Sequence, residues 1–250
     1  MSDSDSIYNL KLGFDEDDKQ WYFGRVRTFF NTKFIYDEEL EIYQNIMEDY
    51  EVIQTSFSKI RFKVDKPLIN LTAAEMINKF KDKDIEYFGC VVIFVFSHGE
   101  QDYIFGSDYN SENQTGKINV WNNYYHYFSE DYRPKMVDCP KVFFNEWCQG
   151  DATNNVANTD GMRIVATRFN TSHWLIFNAA MPRYDVFVGS LSTRCFCQFL
   201  EESANKTKDL FEILTMVRKN VGKIEINPFE YLHPMISSTL ENKLCLPQED

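Results

Sequence analysis

Seven consecutive apolar residues, Cys90-Val91-Val92-Ile93-Phe94-Val95-Phe96, constrain this chain more than any other feature. The run is β-branched and aromatic, too short for a typical helix and far too short to cross a bilayer. It therefore reads as a strand buried on both faces. Such a strand needs helices on both sides and parallel neighbours reached by crossovers. Lys141-Val142-Phe143-Phe144 supplies a second, shorter strand. Tyr50, Ile53, Phe57 and Ile60 fall at helical spacing, and Thr72-x-x-Glu75 is a capping box opening another helix. Leu210, Phe211, Ile213, Leu214, Val217 and Val221 mark an amphipathic helix whose stripe belongs to the core. The expectation is one α/β unit built on a largely parallel sheet.

Composition narrows the partners. Apolar residues make up 44% of the 250 positions, enough to bury a substantial core. The first twenty residues are rich in Ser and Asp, with neither the basic nor the hydrophobic region of a signal peptide. A net charge of -12 opposes nucleic acid and anionic membrane as main partners. The six cysteines lack the spacing of a disulfide framework or a zinc site, so a reducing, cytoplasmic setting is expected. Cys195-Phe196-Cys197 alternates as a strand or loop would, sending its thiols to opposite sides. No metal or cofactor is implied. Gly150 to Gly161, dense in Asn, Asp and Thr, reads as an exposed linker.

In open α/β sheets, sites gather beyond the carboxyl ends of the strands. The first strand runs into Ser97-His98-Gly99-Glu100 and the second into Asn145-Glu146-Trp147-Cys148-Gln149-Gly150, which places His98 and Cys148 fifty residues apart. A thiol and an imidazole at the mouths of neighbouring strands can act as nucleophile and general acid/base on a carbonyl. Backbone N–H groups near Gly99 and at Cys148 can supply an oxyanion hole.

Phe96-Ser97-His98-Gly99-Glu100 with Ile104-Phe105-Gly106, and Cys148-Gln149-Gly150 fifty residues after the histidine, resemble the two motifs of the caspases. Phe211 to Val217 is similar to a helix of the caspase small subunit, and Pro234-Met235-Ile236-Ser237 to Leu244 to its dimer-forming last strand. The resemblance spans residues 22 to 248. It implies a central, mostly parallel six-stranded sheet flanked by helices, with large- and small-subunit portions in one chain. Residues 1–21 form a short N-terminal peptide, 22–150 the large-subunit portion, 151–160 the linker and 161–250 the small-subunit portion. Asp160, in Ala157-Asn158-Thr159-Asp160-Gly161, is then a candidate processing site or a plain Asn/Asp turn. If the chain is an ordinary aspartate-specific caspase, the little that precedes residue 22 suggests a downstream enzyme rather than an initiator.

Caspases hold the P1 aspartate with two arginines and a glutamine. Aligned on the family pattern, Tyr43 stands at the first arginine, Val188 of Phe187-Val188 at the second, and Glu146 at the glutamine. Each lost charge partner of a buried carboxylate costs about 3–5 kcal/mol, and Glu146 is expected to add like-charge repulsion. Arg183 and Arg194 are the nearby cations that can substitute if the register differs. The expectation is a catalytically impaired decoy in apoptosis regulation. It would pair with an active caspase, or with itself, through Met235 to Leu244 and alter that partner's activity. The alternative is an active cysteine endopeptidase, either aspartate-specific or with a P1 preference altered by Glu146.

Overall fold

The computed structural model describes residues 6–36, 40, 45–100, 102–147, 173–179, 191–203, 208–223, 225–227, 230–231 and 234–246. In chain order the elements are β1 (Gly13–Asp15), β2 (Gln20–Tyr22), β3 (Gly24–Phe30), α1 (Ile46–Ser58), β4 (Phe62–Val64), β5 (Leu68–Ile69), α2 (Ala73–Lys81) and β6 (Val91–Phe96). Then come β7 (Gly99–Glu100), β8 (Tyr103–Asn110), β9 (Thr115–Asn119), β10 (Lys141–Glu146), β11 (Trp174–Asn178), α3 (Leu191–Glu202), α4 (Leu210–Val221), β12 (Glu225–Asn227), β13 (Glu230–Tyr231) and β14 (Met235–Ser238).

The central sheet runs β14-β11-β10-β6-β3-β4. Every pairing is parallel except β14 with β11. The short β5 also pairs with β3, at Phe29 and Phe30, beyond the stretch Gly24 to Val26 that pairs with β4. Seven strands thus fill the six positions expected. Among the described residues, β14 takes no strand on its second edge.

Alternation sorts the apolar run between two cores. Val92, Phe94 and Phe96 face α1, α3 and α4, packing with Ile53, Phe57, Phe196 and Leu214. Val91, Ile93 and Val95 face α2 and the helical turns of residues 120–128, packing with Met76, Phe80, Tyr124 and Phe128. Both faces are covered, which explains why the sequence shows a solid apolar run in place of alternation. A row of rings crosses the first face: Phe30 stacks on Phe96 at 4.5 Å, Phe94 on Phe144 at 4.4 Å, and Phe144 tilts against Phe177 at 5.8 Å.

The capping box is present. The Thr72 hydroxyl accepts the Glu75 N–H, and the Glu75 carboxylate accepts the Thr72 N–H at 2.8 Å. An N-terminal strap joins the far end of the chain: Tyr8 N–H donates to the Lys243 carbonyl and Lys243 N–H to the Ser6 carbonyl. The Tyr8 hydroxyl contacts His173 and accepts the Glu241 N–H.

Several expectations are revised. Cys195-Phe196-Cys197 lies inside α3, because Phe196, Cys197 and Leu200 pack as a helical stripe against α1 and the sheet. A two-residue step in a helix still separates the thiols, with Cys197 buried and Cys195 half-buried. The last strand ends at Ser238 and not at Leu244; residues 241–246 serve the strap and the cap of α4, where the Asp209 carboxylate accepts the Phe211 and Leu244 N–H groups. β10 runs two residues past Phe144, through Asn145 and Glu146. The linker and Asp160 lie outside the described residues. Among the described residues no helix is long and apolar enough to cross a membrane.

Candidate active site

The ends of β6 and β10 lie side by side, in register from Val91 with Lys141 to Phe96 with Glu146. Their last link is the Ser97 N–H donating to the Glu146 carbonyl at 3.3 Å, one residue before His98 and two before Cys148. Cys148 itself, with Tyr43 and Val188, lies outside the described residues. His98, Gly99, Glu146 and Arg194 are described.

His98 is half-buried at the turn from β6 into β7. Its Nε2 lies 2.9 Å from the Leu40 carbonyl oxygen. A carbonyl only accepts, so Nε2 carries the proton, and in the neutral ring Nδ1 is the basic nitrogen. The Phe34 ring lies against the imidazole at 5.3 Å. The turn is fixed by Phe105 N–H donating to the His98 carbonyl at 2.9 Å and by the Ser97 hydroxyl donating to the Phe105 carbonyl at 2.7 Å. A base held in one tautomer by a third group is the arrangement nucleophilic catalysis requires. Sequence reading missed Leu40 because its contribution is a backbone carbonyl, which any residue supplies.

Gly99 leaves no space for a side chain. A methyl built there would sit 2.5 Å from the Tyr103 carbonyl oxygen and 2.7 Å from Cδ1 of Trp147. The next residue, Glu100, pairs with Lys117, whose ammonium lies over Tyr103, Phe105 and Tyr109 at 5.3, 5.5 and 5.8 Å.

Glu146 ends β10 on the face that packs against α1 and α3, 3% exposed. The Thr193 hydroxyl donates to its Oε1 at 2.8 Å, while the buried Oε2 has no partner among the described residues. Burial, with a smaller contribution from the nearby Asp49 carboxylate, pushes the Glu146 carboxyl up to about 8. Glu146 is therefore largely neutral at pH 7, and the like-charge repulsion expected from sequence is absent there. Arg194 is engaged elsewhere: Nε donates to Asp49 at 2.6 Å and the guanidinium pairs with Glu48 at 3.3 Å. Arg183 lies outside the described residues.

Behind β10, on its other face, Asn145 is fully buried. Its amide donates to the Tyr125 hydroxyl and to Asn178 Oδ1, each at 2.7 Å, tying the end of β10 to the end of β11. Asn145, directly after the apolar Val142-Phe143-Phe144, was the signal available in sequence for this network.

The sequence profile of the caspase domain matches residues 31–245. With the parallel sheet and the ends of β6 and β10 side by side, this chain belongs to the caspase family. Among curated proteins it is similar to Caspase-1 of Drosophila melanogaster, 25% identical over 210 residues covering 79% of this chain and 62% of that protein. It is also similar to Caspase drICE of Drosophila melanogaster, 27% identical over 70% of this chain and 49% of that protein. The chain thus spans roughly half to three fifths of the length of these relatives. The crystal structure of Caspase-1 from Spodoptera frugiperda superposes with a TM-score of 0.73 at 20% identity, covering 100% of this chain and 96% of that one.

Proposed function

We propose that this caspase homologue acts in the regulation of apoptosis as an impaired partner, pairing with an active caspase through β14 in place of cleaving after aspartate. The observation that carries the reading is the state of the charges near the end of β10. At the family's glutamine position stands a buried Glu146, and the described arginine beside it, Arg194, is taken up by Asp49 and Glu48. A P1 aspartate entering there meets no uncommitted cation among these residues, and a buried carboxylate without one is disfavoured by several kcal/mol. The edge strand β14 supplies the route to a partner, since its outer N–H and C=O groups can extend a second sheet.

A second reading, an active cysteine endopeptidase of altered P1 preference, is favoured by the His98–Leu40 bond, which keeps the imidazole in the tautomer a thiol nucleophile needs. The deciding experiment incubates the purified protein with P1-aspartate and P1-arginine fluorogenic peptides, Cys148→Ala serving as blank, alone and mixed with an active effector caspase. Silence on both peptides, together with altered turnover by the added caspase, is the expected result. Cys148-dependent turnover of either peptide replaces the first reading with the second.

A further inference from the structure

We infer that Trp147 is a positioning residue that holds the His98–Gly99 turn against the end of β10, the strand that leads in sequence to Cys148. The inference rests on His98 and Cys148 working as a pair, as the second reading above requires and the first permits.

The argument starts where the sheet stops. The ladder between β6 and β10 closes with the Ser97–Glu146 bond, and among the described residues no further rung joins the two strands beyond it. Trp147 is the next residue, 2% exposed, on the face of β10 opposite Glu146. The pyrrole edge of its indole lies against Gly99: a methyl on that glycine would be 2.7 Å from Cδ1 and 3.1 Å from Cγ. On its other side the indole meets the Tyr124 ring edge-to-face at 6.2 Å, and Tyr124 belongs to the helical turn that also contacts Phe80, Phe128 and Phe143. The ring is therefore a rigid spacer with the core behind it and the backbone of the histidine turn in front. Packed interiors transmit such a contact because they yield little.

Among the described residues the buried indole N–H has no acceptor. A buried donor left unmet is a cost, so it is the flat ring and not a hydrogen bond that contributes here. Trp147→Phe accordingly removes an unsatisfied group and keeps a flat ring against Gly99. Trp147→Leu removes the flat ring while leaving apolar bulk.

The test follows alkylation of Cys148 by iodoacetamide from pH 5 to 9, read peptide by peptide in the mass spectrometer so that the other five cysteines do not contribute. In the full-length protein the midpoint is expected below that of an ordinary thiol, about 8.5, and to rise in His98→Ala. Trp147→Leu should move the midpoint toward the His98→Ala value by about half a pH unit or more, a roughly threefold loss of rate at acidic pH, and Trp147→Phe should restore it. If Trp147→Leu does not melt cooperatively, Trp147→Met is measured in its place, since it fills the space without a flat face. A cooperatively folded Leu or Met variant with an unchanged midpoint overturns the inference, because a merely structural role would lower the melting temperature and leave the thiol alone. A His98→Ala midpoint equal to that of the unmodified protein instead refutes the pairing of His98 with Cys148, and the inference falls with it.

Discussion

Replacing Glu146 by Gln should remove a pH dependence of stability that the buried carboxyl imposes. In the unfolded chain Glu146 loses its proton near its ordinary value of 4.5, whereas burial in the folded protein holds the proton up to about 8. The folded state therefore binds more protons between these two values, and stability falls as the pH rises. The contribution is fully present below 4.5 and is lost as the pH passes through 8. The loss is on the order of 2–3 kcal/mol between pH 5 and pH 7 and approaches roughly 5 kcal/mol above pH 8. In Glu146→Gln the amide oxygen can still accept the Thr193 hydroxyl, while the amide N–H groups occupy the place of the unpartnered Oε2. The resulting offset does not vary with pH, so the quantity to follow is the difference between the two proteins across pH. Groups common to both, including Asp15 and Asp84 with their lowered values, cancel in that difference. Thermal melts at pH 5, 6, 7 and 8 should show the variant gaining on the parent by about 5–10 °C between pH 5 and pH 7. Parallel melting curves across this range would refute the reasoning and mean that Glu146 is ionised in the folded protein.

Two further outcomes follow from the same structure. Asp49→Asn removes the carboxylate that raises Glu146, so the midpoint of that pH-dependent loss should move to lower pH, as read by the same melts. Thr72→Ala removes the hydroxyl half of the capping box on α2, leaving the Glu75 carboxylate to accept the residue-72 N–H, and should cost about 1 kcal/mol, measured as a shift in the urea midpoint without a change in slope.

The fold was legible in sequence where a pattern depends on near neighbours. The apolar run at 90–96 could only be a strand covered on both faces, and the Thr72–Glu75 box and the stripe of Leu210, Ile213, Leu214, Val217 and Val221 each lie within one helix, although Phe211, read from sequence as part of that stripe, is exposed because it sits one residue round from Leu210 on the solvent side. Cys195 to Cys197 failed because three residues do not distinguish a period of 2 from one of 3.6. Phe196 settles the matter through contacts with Phe57 and Phe144, distant in the chain. His98 was legible as a residue type at a strand end, but the tautomer set by the Leu40 carbonyl was not. The charge state of Glu146 was misjudged for a related reason. A carboxyl in sequence looks anionic, and its neutrality here depends on α1 and α3 closing over it, with Thr193 arriving from 47 residues away.

The arrangement of β10 and β11 bears on how a cut in this chain would be noticed. Five residue pairs, from Lys141 with Trp174 to Asn145 with Asn178, join the portions before and after residues 148–172, and the strap at Ser6 to Tyr8 grips Lys243 from the opposite end of the sequence. Chain continuity is thus not what binds the two portions together. A protein nicked at Asp160 would travel through a sizing column as one particle, and its two pieces would come apart only when the sheet itself was dissolved in denaturant.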